Sequence, residues 1–219
     1  MLTALVIGAT GLVGRALVTQ LLEHPAYARV VVLHRRSTGL KHPKLQEHIV
    51  DFDRLADFAP LFRGDVLYSA MGATLKTAGS KAAQFKVDFS YQLAAAKLAA
   101  ENGVPDYVLV SSTGANAASK NFYLRTKGEL DQAVQQLGFR RVRLIRPSVL
   151  KGGKRPDKRI GERIAIQVLD ALAWVPGVRE HRPIHVKTVA CAMHNSLRTD
   201  EALLIVERES VFQLAATTD

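Results

Sequence analysis

The stretch Leu5-Val6-Ile7-Gly8-Ala9-Thr10-Gly11-Leu12-Val13-Gly14 decides the fold. Three apolar residues run straight into glycines spaced three apart. Leu12 to Glu23 follows, with Val13, Leu17 and Leu21 at i, i+4 and i+8, one helical face closed by Pro25. Between a strand and a helix each glycine has a task. Gly8 permits a tight turn out of the strand, Gly11 lets backbone approach a pyrophosphate with no Cβ in the way, and Gly14 lets the helix lie close to the strand. The helix N-terminus then offers unpaired N–H groups and a positive dipole end to phosphates. Gly8, Thr10, Gly11, Leu12, Val13 and Gly14 are therefore the expected dinucleotide contacts. The plainer alternative is a glycine-rich turn in some other α/β protein.

Outward from this turn, strand-like and helix-like segments alternate. Val30 to Leu33, Ile49-Val50, Val66 to Tyr68, Tyr107 to Val110 and Val142 to Ile145 are apolar runs of strand length. Phe85 to Asn102 and Phe122 to Leu137 read as helices stopped by Gly103 and Gly138. Continuous apolar strands separated by helices predict an α/β fold: a Rossmann, doubly wound parallel sheet with helices on both faces. At 219 residues, 47% of them hydrophobic, the chain suits a single NAD(P)-binding domain over 1–219. After Pro147 the alternation fades. Lys151 to Arg159 reads as a basic loop, Ile160 to Trp174 and Val186 to Leu197 as helices, and Leu203 to Val206 and Val211 to Leu214 as short strands. Residues 151–219 are expected to form a small C-terminal cap on the substrate side.

The second strand refines the ligand. Selection for NAD wants Asp or Glu about 20 residues beyond the glycines, hydrogen-bonded to the ribose 2′-OH. The sequence there reads His34-Arg35-Arg36, with no acid. Two guanidiniums suit a 2′-phosphate, so NADP is expected over NAD. Solvated arginines at a strand end are the alternative.

Tyr123-Leu124-Arg125-Thr126-Lys127 sets Tyr-x-x-x-Lys on a helix, so that both side chains share one face. Upstream, the fifth strand ends in Ser111-Ser112-Thr113. Strand C-terminal ends of a parallel sheet form the ligand crevice, where serine, tyrosine and lysine can converge beside a nicotinamide. Carbonyl reduction needs a proton donor. A free phenol, with a pKa of ~10, holds its proton too tightly at neutral pH, and a nearby ammonium favours the phenolate. Alone, Tyr-x-x-x-Lys is a common accident; behind a glycine turn and beside strand-end serines it is not.

GATGLVG, SSTGA, YLRTK and a sixth strand ending in RPSVL together resemble the short-chain dehydrogenase/reductase superfamily, more closely its atypical, extended-like branch. VLVSSTGANAASKNFYLRTKGELDQAV is similar to the Tat-interacting-protein oxidoreductase group. The resemblance covers residues 1–150 well and PIHVKTVACAM more weakly. It implies Ser112, or else Ser111, as catalytic serine, Tyr123 as acid/base, and Lys127 as its partner on the ribose. It also implies Asp51-Phe52 near the adenine, Ala70-Met71-Gly72 beside the nicotinamide ribose, and Pro147 to Val149 near the carboxamide. The activity implied is NADPH-dependent reduction of a carbonyl. The rivals are an NADP(H)-sensing binding protein with little or no turnover, and a nicotinamide-dependent epimerase or dehydratase. Three departures stand out. Ala70-Met71-Gly72 replaces the Asn-Ala-Gly of many relatives, Asp88 stands where an asparagine is common, and the C-terminal region is short for a sugar-nucleotide pocket.

Composition narrows the rest. Cys191 is the only cysteine, which excludes an internal disulfide and fits a reducing, cytoplasmic setting. The apolar N-terminal run is punctuated by glycines and ended by Arg15, short of the ~20 residues of a membrane span, so a soluble protein is expected. The seven histidines make no metal pattern; His181 and His185 straddle Pro183. His185 suits a cap, and Trp174 a core anchor. Net charge is +10, and residues 140–163 hold ten basic side chains against two acidic ones. A solvated face, an active-site edge formed by part of Lys151 to Arg159 that attracts an anionic small-molecule substrate or a cofactor phosphate, and a nucleic-acid surface compete to explain this. The last is disfavoured, because no aromatics interleave for base stacking. A homodimer is an open expectation.

Overall fold

Strands that are apolar on both faces need cover on both, and the computed structural model, which describes residues 1–152 and 182–217, supplies it. The strands are β1 (Leu2–Ile7), β2 (Tyr27–His34), β3 (Leu45–Ile49), β4 (Val66–Ser69), β5 (Asp106–Val110), β6 (Arg141–Arg146), β7 (Leu150–Lys151), β8 (Ile184–His185) and β9 (Leu203–Glu207). The helices, numbered along the described residues, are α1 (Leu12–Glu23), α2 (Leu75–Ala78), α3 (Lys81–Phe85), α4 (Tyr91–Glu101), α5 (Phe122–Gln135), α6 (Val186–Asn195) and α7 (Glu209–Ala216). Seven strands form one parallel sheet in the order β3-β2-β1-β4-β5-β6-β9; β7 and β8 form a separate pair. This is a Rossmann-like fold, and chain direction across the sheet reverses between β1 and β4, the position where such sheets open a crevice.

The strands alternate between two apolar layers. Val6, Val32, Tyr68 and Val108 face Val13, Leu17 and Leu21 of α1 and Val189 and Met193 of α6. Leu5, Ile7, Leu33, Leu67 and Leu109 face the small residues Ala95, Ala96 and Ala99 of α4 and Leu130 and Val134 of α5.

Three sequence expectations shift. The third strand is Leu45–Ile49 instead of Ile49-Val50: it is a half-exposed edge, so no apolar run marks it. The long helix expected over 85–102 begins at Lys81 and is broken by a π-helical turn over Lys86–Ser90. Residues 211–214 are helical, because Val211, Leu214 and Ala215 pack at helical spacing against the α1 and α6 layer. Of the cap expected over 151–219, residues 182–217 are described: α6 lies beside α1 over one face of the sheet, and β9 extends the sheet beyond β6, which would otherwise be a bare edge. The loop and helix read into 153–174, with His181, lie outside the described residues.

The basic cluster also reads differently in three dimensions. Arg143 is wholly buried and donates to the carbonyls of Ser196, Glu201 and Thr199 at 2.7, 2.6 and 2.6 Å, fastening the turn that delivers β9. Arg141 grips Asp106 on the neighbouring strand, with Nε 2.8 Å from Oδ1. Arg146 spans Asp131 at 2.8 Å and Glu207 at 3.1 Å. These three are internal braces, so a solvated face does not describe them. Lys154 to Arg163 lie outside the described residues.

Candidate active site

The glycine turn sits at the C-terminal end of β1. Gly8 has φ +83°, and a Cβ there would lie 2.5 Å from the carbonyl carbon and oxygen of Ala70. Both a side chain and an ordinary φ are thereby excluded where β1 and β4 diverge. A Cβ on Gly14 would lie 2.2 Å from the Gly8 carbonyl oxygen, so α1 packs on the turn only through glycine. Gly11 differs: it is exposed, and a Cβ would meet only the Gly8 and Ala70 oxygens at 3.2 and 3.7 Å. Gly11 is the N-cap of α1, no side chain caps it, and the first turn holds no acid. The Leu12, Val13 and Gly14 N–H groups thus top a positive helix end beside an open, Cβ-free edge, a cradle that fits a pyrophosphate. Thr10 is exposed beside it.

Arg35 and Arg36 follow β2 and are exposed. The nearest strand-borne acid, Glu47 of β3, is taken up locally: Ser37 Oγ donates to it at 2.7 Å and the Thr38 N–H at 2.9 Å. Burial pushes the Glu47 carboxyl up, but the Thr38 and Ser37 hydrogen bonds and the His34 imidazole outweigh it and hold the carboxyl below its ordinary value. Asp51 is exposed and caps the turn behind it through the Asp53 N–H at 2.9 Å; Phe52 is buried beneath, packed on Tyr91. Ala70, Met71 and Gly72 leave β4 directly opposite Gly8.

Ser111 and Ser112 end β5 with different surroundings. Ser111 is buried beside Asp131. Burial pushes the Asp131 carboxyl up, opposed by the Ser111 hydroxyl and then by Arg146. Ser112 is half-buried, and its hydroxyl makes only a long 3.4 Å bond to the Thr113 carbonyl. The loop after it folds onto α5: the Asn116 N–H donates to the Leu124 carbonyl at 3.1 Å, and a Cβ on Gly128 would sit 2.2 Å from Ala117 N. Gly128, which sequence reasoning missed, therefore sets how closely the serine loop approaches the helix carrying Tyr123 and Lys127. Its signal was present as a glycine inside a helix.

Tyr123 is 38% exposed at the first turn of α5, whereas Lys127, one turn on, is 2% exposed. Lys127 Nζ lies 3.6 Å from Asp88 Oδ1, a nearly fully buried ion pair. Asp88 Oδ1 also accepts the Ala73 N–H at 3.1 Å. Pro147 is buried, its carbonyl accepting the Thr113 N–H at 3.1 Å; Val149 is exposed, its carbonyl accepting the Ile184 N–H at 2.8 Å. His185 caps α6 through the Lys187 N–H at 3.2 Å. The structure thus gathers the glycine turn, Ala70–Gly72, Ser112, Tyr123, Lys127 and Pro147 along the strand ends of one sheet, with Arg35 and Arg36 at the outer end of that row. No group of three or more metal-ligating side chains occurs among the described residues, and none of their helices is long and apolar enough to cross a membrane.

Such a sheet, glycine turn and tyrosine–lysine helix define a nicotinamide-dependent protein of the extended short-chain dehydrogenase/reductase type. The chain belongs to the NAD dependent epimerase/dehydratase family, whose model matches residues 4–199. It is similar to Protein HTATIP2 of Rattus norvegicus, 31% identical over 222 residues that cover 98% of this chain and 89% of that protein. It is also similar to Protein FMP52, mitochondrial, of Candida glabrata, 37% identical over 155 residues covering 70% and 66% of the two chains. Among solved structures, MoeE5 in complex with UDP-glucose and NAD superposes with a TM-score of 0.70 at 18% identity, covering 98% of this chain and 81% of that one. A UDP-glucose 4-epimerase from Thermotoga maritima with UDP-glucose gives 0.69 at 15%, covering 97% and 81%. At those identities the likeness is one of fold.

Proposed function

We propose that this protein is an NADPH-dependent reductase of a small carbonyl compound. The observation that carries the reading is Lys127, buried one turn below the half-exposed Tyr123 on a helix docked against the Ser112 loop. The α1 N-terminus would hold the pyrophosphate, and Arg35 and Arg36 a 2′-phosphate. Bound there, the nicotinamide would supply a hydride. Ser112, the accessible member of the serine pair, would hold the substrate oxygen, and the Tyr123 hydroxyl would deliver the proton that oxygen needs. Asp51-Phe52 would border the adenine, and Ala70 to Gly72, Pro147 and Val149 the nicotinamide end. A small-molecule substrate is favoured over nucleic acid, since Arg141, Arg143 and Arg146 are spent on internal partners. The single cysteine supports a reducing, cytoplasmic location, although the fungal relatives carry mitochondrial in their names.

The test is NADPH oxidation with a panel of aldehydes, ketones and quinones, comparing parent with Tyr123→Phe. Turnover by the parent, reduced roughly 10²-fold or more in Tyr123→Phe, is expected. NADPH binding with no consumption on any carbonyl would overturn the reductase reading in favour of a sensor. The family match favours a second reading, an epimerase or dehydratase. That reading predicts rearrangement or water loss from a substrate with no net change in cofactor.

A further inference from the structure

His34, the last residue of β2, is 3% exposed, and neither of its ring nitrogens has a hydrogen-bond partner. An unpaired polar group in the interior is costly and calls for a reason. Its position supplies one. His34 stands about 20 residues beyond Gly14, where NAD-selecting strands carry their acid. Along β2, Val30 and Val32 pack in the layer that holds α1. By strand alternation His34 continues that row to the strand end, on the side of the helix whose N-terminus forms the phosphate cradle.

One acid lies against the ring. Glu47 of β3 is in register with Val32, so its side chain shares that face, and its Oε1 is 3.6 Å from His34 Nε2. The same carboxylate fastens the loop that carries Arg35 and Arg36: Ser37 Oγ, the Thr38 N–H and Thr38 Oγ all donate to it. Thr38 is thereby buried, while Arg35 and Arg36 stay exposed. Other charged or titratable groups near the ring are few. β3 adds His48, β1 carries no titratable side chain, and Asp51 is turned to the Asp53 N–H. α1 buries Val13, Leu17 and Leu21 and leaves Arg15 and Glu23 in solvent. Burial pushes the His34 imidazole below its ordinary value, opposed by Glu47 and the Arg36 backbone, with His48 adding to the lowering. At neutral pH the free protein therefore holds the ring uncharged.

We propose that His34 is a proton-linked determinant of cofactor choice: when a 2′-phosphate settles against Arg35 and Arg36, the imidazole takes up one proton and stands as a third cation between that phosphate and Glu47. The proposal rests on the cofactor reading given above. A phosphate dianion on one side and a carboxylate on the other favour the imidazolium by more than burial disfavours it. The only bond made is N–H on the free ring nitrogen, with the proton drawn from the buffer. NADH brings a 2′-hydroxyl and no charge, so it leaves the ring neutral. Preference for NADPH over NADH therefore grows as pH falls from about 8 toward about 6.5, above the range near pH ~6 in which a phosphate monoester takes a proton itself.

Calorimetry of NADPH binding at about pH 7.5, in buffers of different ionisation enthalpy, counts the protons taken up while the phosphate is already the dianion. The parent should take up a substantial fraction of one proton with NADPH and none with NADH. Its NADPH affinity should rise on acidification by at most about tenfold per pH unit, the limit for one linked proton. His34→Phe keeps a planar ring in a space where no hydrogen bond is lost. It should still bind NADPH through Arg35 and Arg36, with the proton uptake gone and the pH profile flat. His34→Gln is the second arm should His34→Phe fail to fold. NADPH binding by the parent without proton uptake, or uptake that persists in a folded His34 variant, overturns the proposal and leaves the NADPH preference standing. Equal affinities of the parent for NADPH and NADH would instead remove the cofactor reading, and this proposal with it.

Discussion

Replacing Gly11 and Gly14 separately by alanine divides cofactor binding from folding. At Gly11 the backbone is extended (φ −75°, ψ 171°), which alanine adopts without strain, and the new Cβ meets nothing closer than 3.2 Å. Losing glycine at a helix N-cap costs about 0.5–1 kcal/mol, and the stiffer unfolded chain returns about 0.4–1 kcal/mol. The net change in stability should stay under about 1 kcal/mol, or roughly 2–4 °C in Tm for a chain of this size. The same methyl, however, stands in the open edge beside the Leu12, Val13 and Gly14 N–H groups. Displacing a phosphate from one or two charge-assisted hydrogen bonds worth about 1.5–3 kcal/mol each should weaken NADPH binding about tenfold to a hundredfold. At Gly14 the Cβ would lie 2.2 Å from a backbone oxygen, which no rotamer can relieve, so α1 must lift off β1. Gly14→Ala should therefore lower Tm by roughly 5 °C or more, from overpacking worth about 1–3 kcal/mol. Thermal melts and isothermal calorimetry with NADPH read both quantities. A Gly11→Ala protein that melts like the parent and also binds NADPH like the parent would refute the phosphate cradle.

Arg35→Ala should remove most of a preference for NADPH over NADH, since each charged hydrogen bond is worth about 1.5–3 kcal/mol; equal affinities of the parent for the two cofactors by calorimetry would sink this. Arg143→Met removes a buried guanidinium that donates to three carbonyls of the 196–201 turn, and a Tm lowered by roughly 10 °C is expected; a parent-like melt would show those bonds to be dispensable. Glu47 is held below its ordinary value, so its contribution to stability is present above the unfolded carboxylate value of ~4.3 and lost as pH falls through the folded value. Glu47→Gln should accordingly be less stable than the parent in urea melts at neutral pH, with the gap closing in acid; a gap constant across pH would contradict the linkage.

Periodicity alone was enough for the fold class, because strands apolar on both sides can only be satisfied between two helical layers, and Val13, Leu17 and Leu21 declare their face at any glance along the chain. The glycine turn was legible from its place between strand and helix: Gly14 is required by the Gly8 carbonyl six residues earlier, whereas the contact that requires Gly8 waits for Ala70 after β4. Tyr123 and Lys127 were legible because helical spacing places i and i+4 on one face. What tertiary structure alone decided was pairing between distant segments. The basic run at 140–146 looks like a charged surface until β9 and the 196–201 turn arrive to claim Arg143 and Arg146. Residues 211–214 could be strand or helix until α6 offers a surface with helical spacing. That Ser111 is buried beside Asp131 while Ser112 is only half-buried depends on which way a strand end turns. Asp88 is a lone acid in a helix by sequence; only the π turn, pinned by Gln92 to β4, carries it beneath Lys127. Local pattern encodes burial and direction. Which charges meet depends on how the chain closes on itself, because an ion pair has no periodicity to announce it.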